Sequence, residues 1–175
     1  VKEAELAMLR RLGASEEHML AVQSNLAMSY EQLGKHEQTL RMRQDVYFGR
    51  LKLLGEEHVE TIRAANNCAF SLTDLKRFEE AKALMRKTIP VARRVLGGSH
   101  EFMLRMRTIH AATFSKDGSA PLDGLREAVT TLEETERTAR RVLGGAHPIT
   151  KGIETPLQDA RAALRARETP SPGRP

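Results

Sequence analysis

The chain has 175 residues, of which 40% are hydrophobic and only 4% aromatic, with no Trp. That apolar share can bury a core and excludes a disordered chain, and the dominance of Ala, Leu, Arg, Glu and Lys favours closely packed helices over a sheet. The formal net charge of +5 comes from 28 Lys and Arg against 23 Asp and Glu, interleaved as in KRFEEAKALMRK on a solvated helix face rather than gathered in a basic block.

A single cysteine, Cys68, excludes an internal disulfide. No apolar run approaches the roughly 20 residues of a membrane span, and no signal segment opens the chain, so the expected location is cytoplasmic.

The first twelve residues, within VKEAELAMLRRLG, already have helical character and do not begin with Met. They read as the second helix of a preceding unit, so the chain is expected to be a fragment or a late portion of a longer protein. Leu-Gly pairs then recur at Gly13, Gly55, Gly97 and Gly144, spaced 42, 42 and 47 residues apart, each followed by a histidine at His18, His58, His100 and His147. Segments 25–44 and 67–86 align without a gap, matching Asn25 with Asn67, Ala27 with Ala69, Leu33 with Leu75 and Glu37 with Glu79. A fixed period of this length marks a repeat architecture.

The units span about 13–54, 55–96 and 97–143. In the second, Ile62, Ala65, Ala69 and Leu72 form one helical stripe, and Phe78, Ala81, Leu84 and Met85 form another, with DLKR between them. Each unit is therefore a helical hairpin. Small residues at Ala27, Ala69 and Ala111 let paired helices approach closely.

The phrases ARRVLGGSH at 92–100 and ARRVLGGAH at 139–147 read as one connector used twice. Cations sit near the negative end of a helix, Leu turns inward, and Gly takes the left-handed conformation that stops the helix. The third unit carries an insertion around SKDGSAPLDG, and its second helix is expected to resume at LREAVTTLEETERTARRVLGG. A final helix at about 147–168, with the stripe Ile149, Ile153, Leu157, Ala160 and Leu164, reads as a cap, and TPSPGRP at 169–175 as a flexible tail. Pro90 and Pro156 are expected to bend their helices rather than break them.

Chemistry has few candidates. Equivalent positions of successive packed helices lie roughly 8–10 Å apart, too far for the four histidines to converge on one metal ion, so they read as local hydrogen-bonding groups at helix starts. Cys68 lies on an apolar stripe and reads as a small buried hydrophobe. No phosphate loop, HExxH, GxSxG or CxxC motif occurs, so no catalytic group, cofactor, metal or small-molecule substrate is expected.

The segment LGEEHVETIRAANNCAFSLTDLKRFEEAKALMRKTIPVARRVLGGSH resembles the 42-residue tetratricopeptide repeat of the kinesin light chain type, with its LG, NN and EEA landmarks. The resemblance covers about residues 12–150 and departs in the third unit, where Ile109-His110 replaces the Asn-Asn or Asn-Leu pair. It implies an all-α solenoid of stacked antiparallel hairpins over residues 1–168, wound as a right-handed superhelix whose concave face is lined by the first helices. By position it also implies that Asn25, Asn66 and Asn67 hydrogen-bond the backbone of an extended peptide. Arg63 and Arg105 stand one turn earlier at equivalent positions and would add positive charge suited to carboxylates. The other reading has the asparagines satisfying inter-helix backbone groups and the arginines merely solvated.

The function expected is a non-enzymatic scaffold that binds a short, acidic, extended segment of a partner protein. The alternative is a regulatory or targeting arm of a larger enzyme or complex. Nucleic acid binding, which would be salt-sensitive, ranks third, and no membrane partner is expected.

Overall fold

A computed structural model describes residues 15–169 continuously, together with Ala4, Met8, Arg11 and Gly13. The expected half-repeat at 1–12 lies largely outside the described residues, as does the tail beyond Thr169. The described residues form seven helices and no strand: α1 Glu16–Gln32, α2 His36–Leu54, α3 Val59–Asp74, α4 Phe78–Leu96, α5 Glu101–Lys116, α6 Leu122–Leu143 and α7 Pro148–Glu168. The chain divides into two compact units, Val1–Val95 and Leu96–Pro175.

In the first unit α2 is the shared element. One face of the unit's core joins Val22, Leu26 and Tyr30 of α1 to Met42 of α2. Leu40 of α2 packs with Cys68 and Leu72 of α3 and Ala81 of α4, and Val46 and Tyr47 pack with Ala64 and Ala65. Ala27 and Ala69 are almost wholly buried, as close helix approach requires.

In the second unit a core cluster runs through Leu104 and Ala111 of α5, Ala128, Leu132 and Ala139 of α6, and Ile149, Ile153, Leu157 and Ala160 of α7. Leu164, the last of the expected stripe, is only half-buried. Helix α6 starts at Leu122, almost a turn before the sequence reading placed it. Pro121 precedes it with φ −67°, already set for helix initiation, and Gly124 fits inside its first turn. Neither Pro90 nor Pro156 interrupts its helix.

The connectors follow a fixed chemistry. His58, His100 and His147 are the N-caps of α3, α5 and α7, and each Nδ1 accepts a hydrogen bond from the backbone N–H two residues on, at 3.2, 3.1 and 3.3 Å. An imidazole here replaces the hydroxyl or carboxylate more common at a helix start. His18 is the exception. Its own backbone N–H donates to Oγ of Ser15, which caps α1 at 3.3 Å, so this histidine sits inside the first turn. Its distance of five residues from Gly13, against three for the others, already separates it.

The glycines differ from expectation in one torsion. Gly55 has φ 82° and ψ 171°, and Gly144 has φ 89° and ψ 158°. The positive φ is as expected, but the extended ψ lies outside the left-handed helical well, in a region open essentially to glycine alone. The chain thereby leaves one helix extended and turns directly into the next His cap.

Within the hairpins the turn is left-handed at Gly34, φ 70°, and at the register-equivalent Lys76, φ 60°. Both turns close with the same bond, Lys35 N–H to the Tyr30 carbonyl at 2.9 Å and Arg77 N–H to the Leu72 carbonyl at 2.8 Å. Lys76 bears a Cβ where its counterpart has none, at a cost of about 1–2 kcal/mol. Lys76→Gly should therefore stabilise the protein by about 0.5–1 kcal/mol after the entropy cost of a new glycine, whereas Gly55→Ala should destabilise it by about 1–3 kcal/mol. Urea midpoints of the two variants check both signs.

Candidate functional site

Helical spacing fixes which side chains of the first helices face solvent. On α1, Ala21, Asn25, Met28 and Gln32 fall at i, i+4, i+7 and i+11 and are all exposed. The register-equivalent stripe on α3 is Arg63, Asn67, Phe70 and Asp74, exposed except for the half-buried Asn67. In the second unit α5 presents Arg105, Ile109, Ala112 and Lys116 at the same spacing, with Arg105 and Lys116 exposed.

Four of the five residues singled out in the sequence thus lie on these stripes. Asn66 does not: it is only 6% exposed, and its Oδ1 is buried without a hydrogen-bond partner. One residue's difference in register turns it inward by about 100°. The exposed Arg63 guanidinium stands 3.5 Å from the half-buried Glu60, a long contact on the solvent side that adds little. Arg105, in the other unit, makes no ion pair among the described residues.

The first unit's two stripes are joined from behind by a residue that the sequence reading did not single out. Arg43 of α2 is 9% exposed and sends its guanidinium between α1 and α3. Nη2 donates to Oε2 of Glu31 at 2.7 Å, and Nη1 donates to Oγ of Ser71 at 2.6 Å and to the Asn67 carbonyl at 3.3 Å. The same group stands 5.9 Å from the centre of the Phe70 ring. One cation therefore fixes the α3 backbone at Asn67, supports Phe70, and ties the C-terminal end of α1 to both.

The signal for Arg43 was present in the period. It aligns with Met85 in the 42-residue register and, through the 47-residue spacing, with Leu132, and both of these are fully buried. A cation at a core position is unusual enough to mark a network.

Lower on the same helices, Glu60 holds a second cross-helix arginine. Arg50 of α2 reaches its carboxylate at 3.0 Å and its backbone carbonyl at 3.3 Å. Cys68 is 3% exposed, and burial pushes its thiol up to about 11, a rise only partly opposed by Arg43 and Arg77. A neutral thiol in that setting packs rather than reacts. Among the described residues no group of three His, Cys, Asp or Glu side chains could hold a metal ion, and no helix is long and apolar enough to cross a membrane.

Substitutions at Arg43 and the chemistry of Cys68 test this account. Arg43→Met installs the side chain found at the equivalent position of the next repeat, and because Glu31 can regain water, stability should change by less than about 1 kcal/mol. Arg43→Ala also removes the packed stem and should cost at least about 2 kcal/mol by chemical denaturation. Native Cys68 should react with a disulfide reagent at pH 8 at least about a hundredfold more slowly than in urea. Because the unfolded thiol ionises near 9 and the native one near 11, the unfolded state holds fewer protons between these values, and stability should fall as pH rises from 9 to 11.

The comparisons with known proteins bear on the fold. Residues 18–94 match the tetratricopeptide repeat family model. Two crystal structures of a candidate kinesin light chain from Podosopora anserina, with nearly identical TPR-like repeats, superpose with TM-scores of 0.77 for a variant carrying a substitution to methionine and 0.75 for the other. Each is 22% identical and covers 95% of this chain and 77% of the other. BtubC (BKLC) from P. vanneervenii superposes with a TM-score of 0.57 at 16% identity, over 93% of this chain and 70% of the other. A search of curated proteins finds no match. The likeness shows an all-α repeat fold of the solenoid class, and repeats of this kind form protein-protein interaction scaffolds that bind protein partners. Residues 18–94 thus match tetratricopeptide repeats, and the chain shares its helical-hairpin fold with repeat structures of the kinesin light chain type.

Proposed function

We propose that this scaffold holds a short, extended, acidic segment of a partner protein along the exposed stripes of α1 and α3 in its first unit, and that Arg105 offers the same carboxylate-binding chemistry on α5 of the second unit. The observation that carries the reading is the register match between Asn25 on α1 and Asn67 on α3, with Arg63 one turn before Asn67 and Arg105 at the corresponding place on α5. Side-chain amides at equal repeat intervals suit the repeating N–H and C=O groups of an extended backbone, and guanidinium forks suit carboxylates. The Arg43 bond to the Asn67 carbonyl supports the reading, because it holds the α3 backbone in place before a ligand arrives.

Asn66 belongs to the reading in a different way. Its buried Oδ1 places it beneath the stripe, where it would act on a ligand only through the position of its neighbours. It is therefore varied separately. The binding site is formed by side chains that hold no reactive group, which is the basis for reading the chain as a non-enzymatic scaffold, and a cytoplasmic location follows the same reading.

The test is affinity purification and mass spectrometry with the wild-type chain beside an Asn25→Ala, Arg63→Ala, Asn67→Ala and Arg105→Ala variant, matched for helicity by circular dichroism. Partners sharing an acidic extended segment should be lost from the variant. For a synthetic peptide of that segment, losing two charge-assisted contacts should weaken binding by about a hundredfold or more. Retention of every partner would overturn the reading.

A further inference from the structure

The insertion of the third repeat is held by the far end of the chain's last helix. Residues 117–121 form a tight turn in which Oδ1 of Asp117 accepts from both the backbone N–H and the hydroxyl of Ser119, at 2.9 and 2.7 Å. From α7, Arg167 donates Nη1 to the Ala120 carbonyl at 3.2 Å and Nη2 to the Gly118 carbonyl. Its neighbour Glu168 accepts from Arg126 of α6 at 3.0 Å. Two successive residues of one helix end thus pin the turn and the start of α6.

Immediately after them stands Thr169, exposed, with φ −81° and ψ 115°, and followed in the sequence by Pro170. This is the extended backbone that a following proline imposes. Its hydroxyl, which donates to the Arg165 carbonyl at 2.7 Å, lies at the helix end among Arg165, Arg167 and Glu168. Thr155 also precedes a proline and is exposed, but it lies inside α7 with its backbone wound into the helix. Of the two threonines, only Thr169 offers its hydroxyl from an extended backbone at the helix end rather than from within the helix.

We propose that Thr169 is a phosphoryl-acceptor site for a proline-directed protein kinase, and that its phosphate draws Arg167 off the Gly118 and Ala120 carbonyls. The γ-phosphorus of ATP bonds to Oγ1 of Thr169, its bond to the β,γ-bridging oxygen breaks, ADP leaves, and the hydroxyl proton passes to the kinase base. The product places nearly two negative charges at a helix C-terminus, beside Glu168, where the helix dipole is already negative. Arg165 is exposed and makes no ion pair among the described residues, and Arg167 is within two residues. A phosphate dianion is a stronger acceptor for their guanidinium groups than two neutral carbonyls. The modification exchanges a pinned turn for a neutralised helix end.

The experiment uses the full chain in a Ser171→Ala background, incubated with ATP, magnesium and a purified kinase of the mitogen-activated class. Phosphate should map to Thr169, with none incorporated there in Thr169→Ala. Amides of residues 117–120 should then exchange with deuterium about tenfold faster, the scale of a lost hydrogen bond or two. Unphosphorylated Arg167→Ala should show the same acceleration, and phosphorylating it should add little. Absence of phosphate at Thr169, or preferential modification of Thr155, would overturn the proposal. So would unchanged exchange in the turn, or an acceleration that persists undiminished in Arg167→Ala. Partner binding has no part in the readout, so failure here leaves the scaffold reading untouched.

Discussion

A two-helix hairpin cannot hide its own apolar stripe, and the rest of the structure follows from that constraint. Helix α2 meets it by giving one side to α1 through Met42 and the other to α3 and α4 through Leu40, Val46 and Tyr47. In the second unit α7 meets it for α5 and α6 with four buried residues on one face. Each fully buried Leu or Ile there contributes about 1.5–3 kcal/mol. Because every helix must be shared in this way, the spacing of hairpins along the chain is nearly fixed, and so is the connector between them.

The connectors show how little chemistry that spacing needs. A glycine with positive φ and extended ψ ends one helix, and three residues later a histidine imidazole accepts the N–H of the second residue of the next. The histidines therefore act as acceptors in place, with no need to converge on anything. Fixed geometry at the connector leaves the outward faces of α1, α3 and α5 free to differ, and it is there that Asn25, Arg63, Asn67 and Arg105 stand.

Arg43 joins the core to the candidate surface. Its place in the register is occupied in the other repeats by Met85 and Leu132, which pack without directional bonds. The guanidinium gives up that simple packing for bonds to Glu31, Ser71 and the Asn67 carbonyl. Buried ionic groups add little net stability over an apolar residue of similar size, so their contribution lies in orientation. Here the oriented groups are a backbone carbonyl and an exposed aromatic ring on the candidate surface.

The sequence by itself determined the helical class, the hairpins of the described residues, the connector positions and the inward stripes, because each depends on local spacing: 3.6 residues per turn, a 42-residue period, and glycine where only glycine fits. It also separated His18 from the capping histidines by spacing, although that difference went unread. Tertiary structure alone decided the rest. Asn66 and Asn67 are adjacent letters of the same type, yet one is buried and one half-exposed, because burial depends on which side of α3 meets α2. The bond from Arg43 to Asn67 spans 24 residues and that from Arg167 to Gly118 spans 49, so no local period encodes either. Local spacing can say which face of a helix turns inward, but which groups meet there depends on how neighbouring helices pack.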